Sequence, residues 1–571
     1  MIFALVVCGI SALIIWTIHG LVSNYLIARK IGLPIILTPI DSLNPVWVLA
    51  RPVLDPLIRQ LPFGLGDFAG YSYLGWGWEQ RYRLHRRYGD GFVVVTPAEC
   101  QLVLGDVDAA AEVLNRWKDF IKSPAMFAPF NIFGPNVLTA EHETWQRHRR
   151  ITTPPFNERN SALVWSEAAR QARDMLAGWN STTSTSPIGK VGTIRDDAYT
   201  VALNVLSGAG FGKPQQFDNS QYRRAESGSE IPVLEAMQTI MHNMFAILIM
   251  NSAAKAPAWL LPRSWKRVRQ SLVECRKHLV EMVKAEQEAY ARGQGEGEDC
   301  HNLMSTLVRV SEQAKLHGDT DKETRRPWLS DDEIYGNLWL YHLAGHETTA
   351  NALTYGIAFL AAHPELQDWI GEEIQHVMGD EKDDAAGYEE AFPRLKRCLA
   401  IMYESLRLYS PANGIPRWTG DSSQTLKIGD KTVVLPPRTS VLANNAATQT
   451  NPKLWGDDAD IWRPSRWISD GGGSPDKEEL LPGPLGGRAF LAWACGPRIC
   501  PGKKFSQVEF VAVLASLFRS HRVEPVLEAG EDMWDARRRI ERVVQDSHVD
   551  LTVTIRHPER IKLRWLPKRR V

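Results

Sequence analysis

Trp493-Ala494-Cys495-Gly496-Pro497-Arg498-Ile499-Cys500-Pro501-Gly502 is the stretch on which the fold turns. Glycine and proline bend the chain on both sides of the Cys500 sulfur. Beyond it Phe505, Val508, Val511, Ala512 and Ala515 recur at helical spacing. A thiol just before a helix start feels the positive end of the helix dipole, which favours thiolate. A single thiolate in such a loop suits an axial ligand of haem iron. Two other readings fit the same residues. A lone cysteine between glycines is commonly a small buried hydrophobe. Cys495 and Cys500 also read as half of a zinc site, but no other Cys/His pair at metal-ligand spacing completes it.

A second stretch lies upstream. Ser330 with Glu333 forms a capping box, and Asp331 and Asp332 add charge that suits a helix start. The helical pattern runs to His363, where Pro364 stops it. That is roughly 30 residues, or about 45 Å at the helical rise, long enough to cross a domain. Its middle, Ala344-Gly345-His346-Glu347-Thr348-Thr349, is a poor local choice for helix. Glycine costs about 1 kcal/mol relative to alanine, and threonine bonds back to a carbonyl and bends the helix. The plain alternative is a tolerated glycine and two threonines in a buried helix.

Glu404 and Arg407 lie three residues apart in an otherwise apolar helix pattern. On a surface such a pair is worth under about 1 kcal/mol. Buried, it needs further partners to offset desolvation. Trp462-Arg463-Pro464-Ser465-Arg466-Trp467 is placed to supply one.

These pieces, in this order, resemble the cytochrome P-450 superfamily. Gly496, Arg498, Cys500 and Gly502 match its F-x-x-G-x-R-x-C-x-G loop, with Trp493 where Phe is usual. The 344–349 segment resembles its [AG]-G-x-[DE]-T-[TS] pattern. Glu404/Arg407 and the 462–467 segment resemble its E-x-x-R helix and P-x-R-F/W segment, with Ser465 where Glu is frequent. Trp145-Gln146-Arg147-His148-Arg149 resembles its W-x-x-x-R helix. The resemblance implies a mainly α fold with small β-sheets. It implies haem b with Cys500 on the iron, and Arg498, Trp145 and Arg149 at the propionates. It also implies that Gly345 opens a groove for dioxygen and that Glu347 and Thr348 form an acid–alcohol pair for proton delivery. Glu404, Arg407 and Arg466 would serve folding and haem retention. Arg417, after Pro411 and Pro416, is a further propionate candidate or an ordinary basic residue.

Composition narrows the class. The chain has 571 residues, 66 basic and 66 acidic, so no global field argues for nucleic acid. Seven cysteines without framework spacing fit a reducing compartment. Residues 1–28 carry no Asp, Glu, Lys or Arg and read as a transmembrane signal anchor. Arg29 and Lys30 follow it, which leaves the catalytic part cytoplasmic under the positive-inside rule, on a single-pass protein of the endoplasmic reticulum membrane. Prolines 34, 39, 45, 52, 56 and 62 predict a semi-rigid spacer over 29–62 in which no helix continues. Residues 63–571 then read as one catalytic unit.

Two apolar stretches read either as pocket lining, by their resemblance in position to the family's variable substrate-contact regions, or as plain core packing. One holds Phe127, Phe130, Ile132 and Phe133; the other holds Met237, Met241, Met244, Phe245, Ile247, Leu248 and Met250. With the anchor they point to a lipophilic substrate. No G-x-G-x-x-G or flavin-binding unit is present, so NADPH electrons must come through a separate reductase, with cytochrome b5 as a second candidate donor. Arg147, His148, Arg150, Lys503 and Lys504 are expected to form the basic face that steers it. The wording of residues 501–510 looks like members from filamentous fungi that tailor specialised metabolites. The rival readings are an oxygen-independent isomerase or dehydratase on the same scaffold, and a non-catalytic haem-binding protein.

Overall fold

The computed structural model describes residues 2–180, 192–217, 231, 233–244, 247, 262–293, 302–317, 327–379, 387–472 and 474–568. Helices dominate, with small sheets at the edge, as the patterning predicted. Those that position the site are α1 (Ile2–Ile31), α2 (Pro45–Ile58), α3 (His142–Thr152), α4 (Glu158–Asn180), α5 (Ile194–Val205), α6 (Asp331–Ala362), α7 (Lys396–Leu408) and α8 (Lys503–Ser520). The largest sheet joins β1 (Ile35–Leu37), β2 (Gly91–Val95), β3 (Cys100–Leu104), β4 (Ile415–Trp418) and β5 (Ser440–Ala443) in the order β1-β2-β3-β5-β4. A C-terminal hairpin pairs β6 (Ser547–Val549) with β7 (Val553–Ile555), Ser547 opposite Ile555.

The central helix α6 begins as its sequence dictates. Ser330 accepts from the Glu333 amide, and the Glu333 carboxylate accepts from the Ser330 amide. Between Glu333 and Ala362 only Ala344, Gly345, Glu347 and Thr348 are not buried. A helix buried all round needs no amphipathic stripe, and the gap in burial marks where it meets a void. The helix stays unbroken through Gly345 and both threonines. Thr348 and Thr349 do bond back, to the Ala344 and Gly345 carbonyls at 2.7 and 3.2 Å.

The same helix is crossed at very short range. A Cβ at Gly336 would run into the Gly134 and Pro135 carbonyl oxygens, and one at Gly134, which has φ +147°, into the Asp332 carbonyl. Two facing glycines thus set the closest approach between α6 and the loop before α3.

The N-terminal region departs from its expectation in two ways. The apolar helix runs past residue 28 to Ile31, and its second half packs on the sheet. Ala28 and Ile31 are buried, and the Asn24 amide donates to the Thr96 and Pro97 carbonyls. A Cβ at Gly20 would meet the Pro97 carbonyl oxygen. The proline-spaced stretch also contains β1, parallel to β2, and the helix α2 with Pro52 and Pro56 inside it. Asn44 caps α2 at the Val46 and Trp47 amides, and the Trp47 indole donates to the Ser72 carbonyl. Both interior prolines lie on the exposed side of the helix, and neither can donate to the carbonyl four residues back.

Candidate active site

The Cys500 loop is built by backbone geometry. Gly496 has φ +72°, and a Cβ there would press on the Asn115 side chain and the Leu114 carbonyl. Only glycine fits both constraints. The Cys500 amide donates to the Trp493 carbonyl at 2.9 Å, closing the turn. Trp493 is held by its indole bond to Ser506 at 3.2 Å. Helix α8 starts at Lys503, and Phe505, Val508, Val511, Ala512 and Ala515 are all buried in the main core.

Cys500 opens into a cavity of about 410 Å³. The residue is exposed toward that space, and the protein packed around the sulfur pushes the thiol upward. The Gly502 amide, Arg149 and Lys503 pull in the opposite direction. The helix dipole alone therefore does not settle the thiolate; a bound cation would do that directly. Gly345, Thr348 and Thr349 of α6 form another wall, with Leu206, Leu340 and Ala344 beside them. A Cβ at Gly345 would touch Leu206 only at ordinary contact distance, so the glycine leaves space rather than relieving a clash.

The rim carries more positive charge than negative. Lys122, Arg149 and Arg498 all line the cavity. Arg498 bonds Glu141 at 2.6 Å and lies 4.5 Å over the Trp145 ring, which packs 4.5 Å from Trp117. The Lys122 ammonium donates to the Leu138 carbonyl, and burial with Arg498 and Arg417 nearby holds its pKa well below the usual lysine range. Arg417 sits behind this rim on β4 and does not line the cavity. Its Nη1 donates to the Pro416 carbonyl at 2.9 Å, and its buried Nε has no acceptor among the described residues. Cations in excess of their one carboxylate, Glu141, call for an anionic ligand. A thiol in an apolar cavity with these cations at one edge fits haem and its two propionates. Trp145, Arg149 and Arg498 line the cavity that holds Cys500, while Gly496 shapes the loop outside its lining; Lys122, which also lines it, and Glu141, which pairs with Arg498, carry no local signal in the sequence.

Glu347 is not a cavity-lining residue. Its carboxylate accepts from the Thr552 hydroxyl at 2.6 Å. Thr552 in turn accepts from Asn351 at 3.0 Å, and Asn351 accepts from the Tyr199 hydroxyl at 3.2 Å. Thr348 thus faces the void while its acidic neighbour is turned toward a chain of hydrogen bonds.

Away from the cavity, Glu404 is fully buried and saturated. It accepts from Arg407 at 2.8 Å, Arg466 at 3.0 Å, the Arg463 amide at 2.8 Å and the Trp467 indole at 2.9 Å. Arg407 donates onward to the Gln449, Ala459 and Ile461 carbonyls. This is the additional pairing that a buried ion pair requires.

Two expectations are corrected. Arg147 and His148 are not on a surface. Arg147 bonds Glu333 at 2.6 Å, and His148 is buried against Asn337 and Glu333, so both clamp α3 to the start of α6. The basic surface retains Arg150, Lys503 and Lys504. Phe133, Met237, Met241, Met244 and Ile247 belong to the main core, and neither they nor Phe127, Phe130 and Ile132 line the cavity. Phe245, Leu248 and Met250 lie outside the described residues. No cluster of three or more His, Cys, Asp or Glu side chains that could hold a metal ion occurs among the described residues.

The fold and this site define a haem-thiolate class of protein, and the comparisons agree. The family profile described as Cytochrome P450 matches residues 76–545. A cytochrome P450 monooxygenase of Arthrobotrys oligospora is 31% identical, the match covering 97% of each chain. One from Penicillium roqueforti is 30% identical over 94% of this chain and 92% of its own. A phomenoic acid biosynthesis cluster cytochrome P450 monooxygenase of Leptosphaeria maculans is 28% identical over 95% of each. The chain belongs to the cytochrome P450 family and is an oxidoreductase of the monooxygenase type.

Proposed function

We propose that this enzyme inserts one atom of dioxygen into a lipophilic organic substrate, by hydroxylation, epoxidation or successive oxidation, in specialised-metabolite biosynthesis. The observation that carries the reading is one apolar cavity with the Cys500 sulfur on one wall and Gly345 and Thr348 on another. The fungal relatives, one of them assigned to a biosynthesis cluster, support the metabolic setting. Haem b would be held by Cys500, with Lys122, Arg149 and Arg498 at its propionates and Trp145 packed beside them. When bound, it supplies oxygen activation, with thiolate donation favouring O–O cleavage.

The chain's own residues supply the rest. Leu206, Leu340 and Ala352 exclude water and orient an apolar substrate. Thr348 presents a hydroxyl to the void. Glu347, joined through Thr552 and Asn351 to Tyr199, holds or passes a proton behind it. Electrons come from NADPH through a separate flavoprotein reductase that docks near Arg150, Lys503 and Lys504, with cytochrome b5 as a second donor. Helix α1 would anchor the chain in the endoplasmic reticulum membrane; Ser11–Ile31 is long and apolar enough to cross one. The test is the reduced carbon-monoxide difference spectrum. The haem-loaded chain should show the red-shifted thiolate band and Cys500→Ser should lose it. Its persistence in Cys500→Ser would reject the reading. Comparing metabolites with and without the intact gene then gives the substrate.

A further inference from the structure

Asn337 is a polar side chain at a place where α6 is otherwise apolar. Ile334, Leu338, Trp339 and Leu340 around it are buried, and Asn337 is fully buried itself. Asparagine is a weak helix former, and a buried amide costs free energy unless its hydrogen bonds are made. These bonds are made, and they reach three different segments. Nδ2 donates to the Glu333 carbonyl of α6 at 2.6 Å and lies 3.0 Å from His148 Nδ1 on α3. Oδ1 accepts from the Val137 amide at 2.9 Å.

The third of these contacts bears on the cavity. Asn337 does not line it, but Val137 and Leu138 do. Gly134 and Gly336 bring the two main chains together, and Asn337, the next residue along α6, catches the Val137 amide. The segment behind that amide is stiff. Asn136 Oδ1 accepts from the Leu138 and Thr139 amides at 3.0 and 3.2 Å, and Asn136 Nδ2 donates to the Phe130 carbonyl at 2.9 Å. Any movement of Val137 therefore carries Leu138 with it. Without Asn337 Oδ1 the Val137 amide is a buried donor that has lost its acceptor, and the segment must shift to find another.

We infer that Asn337 is a specificity-positioning residue. Through the Val137 amide it fixes where the Val137–Leu138 wall stands, and so the size of the group that the cavity accepts on that side. One methylene against an apolar wall discriminates by about 10-fold or more. A wall that stands still gives a steep dependence on ligand length, and a wall that drifts gives a shallow one. This role rests on the haem-thiolate reading of the cavity and names what sets its choice of substrate.

The test uses the full haem-loaded chain and N-alkylimidazoles from butyl to decyl. Their ring nitrogen binds the iron and their chain probes the wall; imidazole alone is the control. Difference spectra give each Kd, and the reduced carbon-monoxide band confirms folding and haem loading. Leu138→Ala cuts the wall directly and should shift the preferred chain length. Asn337→Leu keeps the volume and removes the acceptor. It should flatten the steepest step of the series from about 10-fold to about two-fold, with the Kd of imidazole unchanged. The same bond is cut from the other side by 2-hydroxyisovaleric acid in place of Val137, which turns that amide into an ester and leaves Asn337 intact. It should flatten the series equally, and it decides alone if Asn337→Leu does not fold. A wild-type series in the ester form or in folded Asn337→Leu would overturn the inference. So would a series that Leu138→Ala leaves untouched, or a loss of affinity shared equally by imidazole. A wild-type chain with neither the red-shifted band nor an imidazole spectrum would instead remove the haem-thiolate reading.

Discussion

The Thr552 hydroxyl donates to Glu347 Oε1 at 2.6 Å and ties the C-terminal hairpin to the middle of α6. The two residues are 205 positions apart. Their bond fixes the direction of a carboxylate that has Thr348 as its neighbour in the chain.

Removing that donor should misdirect Glu347 without changing the cavity wall. Thr552→Val is expected to lower product formed per NADPH several-fold and raise peroxide correspondingly, with KM little changed. Thr552→Ser should restore coupling. Thr348→Ala should be more severe, with a loss of about 10²-fold or more in product formation. Parallel stopped-flow measurement of NADPH consumption and peroxide release decides it; full coupling in Thr348→Ala would remove that residue's proposed role.

Lys122 should matter before any turnover. Its ammonium is buried at the cavity rim among like charges. A charge-assisted bond to a propionate is worth about 1.5–3 kcal/mol. Lys122→Met should therefore weaken haem retention by about 10- to 100-fold, measured by haem transfer to an apo-globin acceptor. Unchanged transfer would exclude Lys122 as an anchor.

Glu404 is expected to govern folding. Glu404→Ala strands Arg407 and Arg466 without their carboxylate, and breaking such a buried pair costs about 3–5 kcal/mol. Urea unfolding and haem content should fall together. A variant with wild-type stability would contradict the buried geometry.

Glu509 gives a pH dependence with a definite sign. It is buried on α8, neither carboxylate oxygen has a partner among the described residues, and burial holds its pKa well above the usual carboxylate range. The native state keeps this proton while the unfolded chain releases it above about pH 4. Stability from this group is present in acid and lost as pH rises. Glu509→Met should flatten that slope and stabilise the enzyme at neutral pH by about 1–3 kcal/mol, read from thermal melts between pH 4 and 7. An unchanged slope would show that the group ionises in place.

What the sequence revealed was local. The Cys500 loop depends on Gly496 and on the start of α8, both within a few residues. Helix α6 was legible from Ser330 to His363 because its capping box and Pro364 sit at its own ends. Glu404 with Arg407 and Arg466 was legible because an ion pair in an apolar helix demands company. The failures are contacts between distant segments. Nothing near Arg147 or His148 reports that Glu333 covers them. Nothing near Met237 distinguishes core from cavity, since both are apolar. Pro52 and Pro56 argued against a helix, and the Asn44 cap with the Trp47 anchor outweighed them. Thr552 sits in an ordinary hairpin and gains its meaning only from what it meets.

The glycine crossing between Gly134 and Gly336 has a consequence for anyone wishing to retune this catalyst. With main chain pressed on main chain there, and Glu333 gripped from α3, the central spine has little freedom to tilt. New selectivity must come by resculpting the tips that project into the void, such as Leu138, Leu206, Leu303 and Ala344. Mutant libraries confined to those four positions should yield altered product profiles at small cost in expression. Libraries spread along the spine should mostly yield insoluble protein.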